Sequence, residues 1–127
     1  LGANVNLLQQ DGPDKGLSAL FCAVLRRQIK VVIVLIKDGN ADIDLLQSEG
    51  TTYLGQSPLL AAVAISDVSI IKILIQNGAD ISKYMQALDG TNPFLIATTT
   101  GNIEVIKIVN KYFTNSLMNG IEKNGKY

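Results

Sequence analysis

The chain contains no histidine, no tryptophan and only one cysteine, and its eleven basic residues balance eleven acidic ones. Each shortage removes a class of function. Without histidine, the commonest general base and the commonest metal ligand are both missing. One cysteine cannot close an internal disulfide, which suits a reducing compartment. With no histidine beside it, that cysteine also cannot build a zinc site from the usual ligands. A formal net charge of zero offers no positive field to gather nucleic acid or an anionic membrane. The longest apolar stretches, Val31 to Ile36 and Leu59 to Ile65, are far below the roughly 20 residues that a bilayer span needs. No signal peptide is read at the N-terminus. The expected location is therefore intracellular, cytoplasmic or nuclear, with no membrane insertion.

What is present is a core. Of 127 residues, 47% are hydrophobic and 17% charged, enough to order the chain as a single domain and too few residues to make two domains the first expectation. Repetition organises it. Gly16 and Gly39 stand 23 residues apart, as do Gly55 and Gly78. Within those windows GLSALFCAV (Gly16 to Val24) matches GQSPLLAAV (Gly55 to Val63), and VVIVLIKDG (Val31 to Gly39) matches IIKILIQNG (Ile70 to Gly78). A third copy starts at Gly90 with GTNPFLIAT and continues with VIKIV (Val105 to Val109), but it lacks the closing glycine. A Gly-Ala-Asp/Asn phrase recurs at Gly2 to Asn4, Gly39 to Asp42 and Gly78 to Asp80, with Asn40 inserted in the second.

Each half-unit has the grammar of a helix. Ser18, Ser57 and Asn92 can cap a helix start with a side-chain oxygen, and Pro58 and Pro93 fall in the first turn, where a missing N–H costs nothing. Gly39 and Gly78 end apolar runs and are expected to close them in the left-handed conformation. Short polar turns, Arg27-Gln28, Ser66-Asp67 and Gly101-Asn102, separate the halves. Taken alone, VVIVLI is β-branched enough for a buried strand. The matching runs carry a lysine in phase and approach a glycine stop, so the helical reading is preferred: a helix packed between neighbours can be apolar nearly all round.

These residues together resemble the ankyrin repeat, a unit of about 33 residues with a β-turn and two antiparallel helices. Gly55, Ser57, Pro58, Leu59, Ala62 and Val63 carry the first part of its pattern, and Ile70, Ile71, Lys72, Leu74, Gly78, Ala79, Asp80 and Ile81 the last. In the third unit Pro93, Ala97, Gly101, Glu104, Val105, Ile106 and Lys107 correspond. The resemblance implies an all-α repeat solenoid, an ankyrin-repeat stack with a β-turn or hairpin plus two antiparallel helices per unit. Residues 1–15 would be the tail of a preceding repeat and a long finger, 16–54 and 55–89 two repeats, 90–119 a divergent repeat, and 120–127 the possible start of another. Because the chain begins with Leu, it is expected to be a slice of a longer stack.

Three departures from the family pattern matter. Its histidine is replaced by Phe21, Leu60 and Leu95, so apolar packing is expected in place of that residue's hydrogen bonds. The links between units are long: nine residues from Leu7 to Lys15, ten from Leu45 to Leu54 and seven from Lys83 to Asp89. Asn110 to Asn119 suggests a last helix extended from Ile103 to about Met118 and stopped by Gly120.

The chemistry on offer is thin. Cys22 aligns with Ala61 and Ile96, a packing position, and has no histidine to activate it. Asp38, Asp42 and Asp44 lack the ligand order of a calcium loop, and Asp42 corresponds to the turn aspartate of the family, so a structural role is favoured. Gly-Thr-Asn-Pro and Gly-Gln-Ser-Pro are helix starts without a phosphate-loop lysine. The cluster Arg26 to Lys30 is too short for a nucleic-acid footprint. No catalytic residue, cofactor or metal is expected.

Surface remains. The resemblance implies a partner protein held on the concave face by finger tips and first-helix ends, which here are Asp14, Lys15 and Leu17; Leu25 and Arg26; Tyr53, Leu54 and Gln56; Ala64 and Ile65; Leu88, Asp89 and Thr91; and Thr99 and Thr100. Tyr53 is the aromatic among them. Leu17, Leu25, Leu54 and Ile65 either form an exposed apolar patch or pack inside the fingers. The expected function is a non-enzymatic protein-binding scaffold. The alternatives are a targeting or regulatory arm of a larger enzyme or channel and, more weakly, a self-association module. A monomer is expected unless exposed end repeats pair.

Overall fold

The computed structural model describes residues 4–47, 55–80 and 93–124, and in them the repeated half-units fold as six helices in three pairs. They are α1 (Ala19–Leu25) with α2 (Ile29–Lys37), α3 (Pro58–Ala64) with α4 (Val68–Gln76), and α5 (Pro93–Thr100) with α6 (Ile103–Asn124). Among the described residues there is no strand. The caps are those the sequence announces: the Phe21 N–H donates to Ser18 Oγ at 3.1 Å and the Leu60 N–H to Ser57 Oγ at 3.2 Å. Asn92 lies outside the described residues. The outer helices add two caps of their own, Asp67 accepting from the Ile70 N–H and Asn102 from the Val105 N–H. The run VVIVLI is helical, in α2.

Eleven residues after Gly16, Gly55 and Gly90, the turn between paired helices places one residue in the left-handed region: Arg27 (φ 55°), Ser66 (φ 56°) and Gly101 (φ 70°). Glycine adopts this geometry freely, whereas a side chain there costs about 1–2 kcal/mol. At Ser66 the buried hydroxyl also has no hydrogen-bond partner. Ser66→Gly is therefore expected to raise stability by about 1 kcal/mol, the relief of strain exceeding the backbone entropy that glycine adds. In a urea titration the midpoint should move up with an unchanged slope; a lower midpoint would refute the strain. Arg27→Gly should show no such gain, because Arg27 Nη2 donates to the Ile65 carbonyl at 2.7 Å and its Nη1 lies 3.7 Å from Asp67 Oδ2. Arg27 thus fastens the first unit to the turn of the second.

Helix α4 closes as expected: Gly78 is left-handed (φ 90°), the Ala79 N–H bonds the Leu74 carbonyl and the Gly78 N–H the Ile75 carbonyl. Helix α2 closes differently. Gly39 is not left-handed; the inserted Asn40 is (φ 52°), and the Ala41 N–H reaches back to the Leu35 carbonyl across one extra residue. Gly39 is small for another reason, since a Cβ there would stand 2.9 Å from the Leu35 carbonyl oxygen.

The helices stack in two rows, α1, α3 and α5 on the inside and α2 against α4 on the outside. Between the rows runs one core, with Leu20, Phe21, Val24, Val32, Leu59, Leu60, Val63, Ile70, Ile71, Leu74, Val105 and Val109 buried. Phe21 and Leu60, in place of the family histidine, are fully buried there. Polar links accompany the apolar ones. The Asn6 N–H donates to Asn4 Oδ1 and the Asp42 N–H to Asn6 Oδ1; the Asp44 N–H donates to Asp42 Oδ1 and the Asp80 N–H to Asp44 Oδ1. The recurring Gly-Ala-Asp/Asn phrase is thus a hydrogen-bonded hinge, in which one short polar side chain fixes its own turn and the next one grips the following unit.

In the third pair, α6 runs 22 residues to Asn124 and passes through Gly120. The expected stop at Gly120 is corrected. A glycine inside a helix costs only about 1 kcal/mol, and the residues after it, Ile121 to Lys123, are compatible with helix. Of the residues read as a further repeat, 120–124 belong to α6 and 125–127 lie outside the described ones. No helix among the described residues is long and apolar enough to cross a membrane.

Candidate functional site

The contact residues expected from sequence fall at the ends of α1, α3 and α5 and on the fingers that lead into them. Among the described residues, the first two fingers are each closed by a pair of backbone hydrogen bonds. The Gln9 N–H donates to the Leu17 carbonyl and the Gly16 N–H to the Gln9 carbonyl; one unit on, the Gln47 N–H donates to the Gln56 carbonyl and the Gly55 N–H to the Gln47 carbonyl. This closure turns Leu17 inward, next to the cap of α1. Leu17 is 4% exposed and belongs to the core, so it is withdrawn from the expected contact surface. Leu25 and Ile65 are half-buried and pack against the same core. Leu17 thus belongs wholly to the frame, while Leu25 and Ile65 pack against it on one side and stay partly open on the other. Leu54, with Tyr53, Leu88, Asp89 and Thr91, lies outside the described residues.

Asp14 and Arg26, expected as separate contacts, form one unit. Arg26 Nη2 donates to both carboxylate oxygens of Asp14, at 2.9 and 2.8 Å, joining the first finger to the end of α1. The pair is about half exposed, so its contribution to stability is small. Its value is geometric, since it holds a guanidinium and a carboxylate at fixed positions on the surface. The Arg26 guanidinium is held further above its ordinary range by the hydrogen bond to Asp14 and, secondarily, by one to Cys22. Cys22 itself is half-buried. Burial pushes its thiol up, and the neighbouring Arg26 only partly offsets this. The neutral thiol is therefore the resident form at neutral pH, as suits a packing position and not a nucleophile.

Further along the row, Ala64 is exposed at the end of α3 beside Ile65, and Thr99 and Thr100 are exposed at the end of α5. Thr100 Oγ1 donates to the Ala97 carbonyl at 2.7 Å. Lys15 is exposed on the first finger, and the half-buried Gln56 lends its carbonyl to the closure of the second. Arg26, Ile65 and Thr100 stand at matching positions in successive units, at the ends of the neighbouring helices α1, α3 and α5. Among the described residues, no three acidic, cysteine or histidine side chains are grouped to hold a metal ion.

One structural residue escaped the sequence reading. Gln47, 2% exposed, accepts from the Ser18 N–H through Oε1 at 2.8 Å and donates from Nε2 to the Leu45 carbonyl at 2.7 Å. It spans two units, giving the stack a buried polar link where only apolar packing was expected. The signal was present as a repeated glutamine, in LLQQ at Gln9, LLQS at Gln47 and YMQA at Gln86.

A family model described as ankyrin repeats (3 copies) matches residues 1–85. The matched segment contains α1 to α4 and ends before α5. No curated protein matches the chain.

Proposed function

Because the chain belongs to the ankyrin-repeat family, whose members are generally protein–protein interaction modules, we propose that it is a non-enzymatic scaffold. It holds a partner protein on the concave face made by the fingers and the ends of the inner helices. The observation that carries this reading is the alignment of Arg26, Ile65 and Thr100 at one register on adjacent helices, beside a preformed Asp14–Arg26 pair. Such a row offers one charged anchor, a half-buried apolar step and two hydroxyls at successive helix ends. The finger residues Tyr53, Leu54, Leu88, Asp89 and Thr91 would flank it. A partner with an acidic group facing Arg26, or a basic one facing Asp14, could exchange with the internal pair without leaving a buried charge.

The test is affinity capture with the wild-type chain and with the variants Arg26→Ala, Ile65→Arg and Tyr53→Ala, each checked for an unchanged helical spectrum. A specific partner should lose at least about tenfold in affinity on Ile65→Arg, in the range of interface anchors. A partner that binds all three variants as tightly as the wild type would show that the concave face is not the one used.

A further inference from the structure

The outer row has a chemistry that the inner row lacks. On α2, α4 and the first part of α6, positions 30, 33 and 37, then 69, 72 and 76, then 104, 107 and 111 repeat the spacing i, i+3, i+7 that defines one face of a helix. The buried residues Val32, Ile71, Leu74, Val105 and Val109 occupy the opposite side, so this face points away from the core. Of its nine positions, Lys30, Lys37, Lys72, Lys107 and Lys111 are exposed lysines and Glu104 is the single acid. In a chain whose formal net charge is zero, the outer face is therefore strongly basic, while Asp42, Asp44 and Asp80 gather in the hinges between units.

Helix stability explains only part of the arrangement: Lys37 in the last turn of α2 and Glu104 in the first turn of α6 suit the helix dipole, but Lys30 does not. Lys30 is in the first turn of α2, which has no acidic residue there, and a cation at that end opposes the helix dipole. Among the described residues, the one ion pair on this face joins Lys72 to Glu104 at 3.7 Å, with both side chains more than half exposed, and Lys111 lies 5.9 Å from the Tyr112 ring centre.

We infer that the outer helices form a second docking surface, separate from the concave face, for an acidic segment of another protein. Its carboxylates would meet the lysine rows at the spacing of neighbouring helices, about 8–10 Å. Two features favour discrete carboxylates over a lipid surface or a nucleic acid. Glu104 sits amid the lysines, where a uniformly anionic sheet would meet it head-on but a peptide can step around it. The face also has no arginine, the side chain best shaped for phosphate.

The probe is a short fluorescein-labelled helical peptide with glutamates along one face, titrated by anisotropy at about 20 mM and about 150 mM salt. Expected are saturable binding at low salt, weakening at the higher salt, and a loss of about tenfold for Lys30→Gln/Lys37→Gln/Lys107→Gln. Gln10→Glu, an exposed position on the first finger outside both surfaces that lowers the net charge by the same unit as each lysine change, should stay within about twofold of the wild type and serves as the control. Amide chemical shifts in a labelled sample should move on α2, α4 and α6. The inference is overturned if the peptide does not bind at low salt, or if the triple variant binds as well as the wild type. It is equally overturned if phosphatidylcholine vesicles containing phosphatidylserine bind through the same lysines more tightly than the peptide does. None of these results bears on Ile65 or Arg26, so the two surfaces are judged independently.

Discussion

Leu74→Asp is expected to unfold the second helix pair and, with it, the cooperative transition of the stack. Leu74 is fully buried in α4, in the core between the inner and outer rows. Truncation of such a leucine alone costs about 2–5 kcal/mol, and an uncompensated buried carboxylate adds several more or takes up a proton to avoid them. The sum rivals the whole stability of a domain this size, about 5–15 kcal/mol. The effect spreads because each unit buries its apolar faces only against neighbours. Once α4 is lost, Val32 and Val105 each lose cover. The far-UV circular dichroism should fall and the thermal transition should broaden or vanish. Val34→Asp, in α2 at a position 53% exposed, should change stability by no more than about 0.5 kcal/mol. A Leu74→Asp protein with wild-type helicity and melting temperature would show that the register of the second unit is wrong.

The same core explains which parts of the fold could be read in advance. Helix starts were legible because Ser18, Ser57 and Pro58 act within one turn of chain, and a local cause leaves a local mark. The run VVIVLI was resolved by comparison with its copies, since its β-branched residues alone favour a strand. The end of α2 was misassigned because a single inserted residue, Asn40, takes over the left-handed position, while Gly39 is retained to clear the Leu35 carbonyl. Sequence places a glycine near a helix end and does not say which of two reasons holds it there. At Gly120 the opposite error arose, as a glycine that costs little was taken for a stop.

The candidate surface was less legible than the frame. Whether a leucine such as Leu17 is exposed depends on the finger's closure, made by two backbone hydrogen bonds that leave no mark in side-chain chemistry. The joining of Asp14 to Arg26 depends on how far the finger leans over α1, again a tertiary property. The polar links between units had a repeated signature in Asn6, Asp44 and the glutamines, but polar residues in a loop are ordinarily assigned to solvent.

Gln47→Leu tests that last class directly, and should destabilise the stack by about 2–3 kcal/mol. Leucine matches the size of the glutamine closely enough to keep the site filled, so the cost is mainly that of orphaned partners. The Ser18 N–H, beside the buried cap of α1, and the Leu45 carbonyl both lose their hydrogen bonds, and a buried unsatisfied group costs about 1–3 kcal/mol. The identical change at Gln9, which has the same place in the preceding finger but is exposed, should alter stability by less than about 0.5 kcal/mol. Gln47→Glu adds a pH signature. A buried carboxyl has its pKa raised above the unfolded value of about 4.3, so its protonated form is the one the fold accepts. Relative to the wild type at each pH, this variant should be nearly as stable in acid and lose stability as pH rises through the raised pKa. Urea midpoints for all three variants at acid and neutral pH separate the explanations. If Gln47→Leu and Gln9→Leu are equally mild, the buried amide adds nothing to the joining of units; if only Gln47 responds, it sets the register in which one unit meets the next.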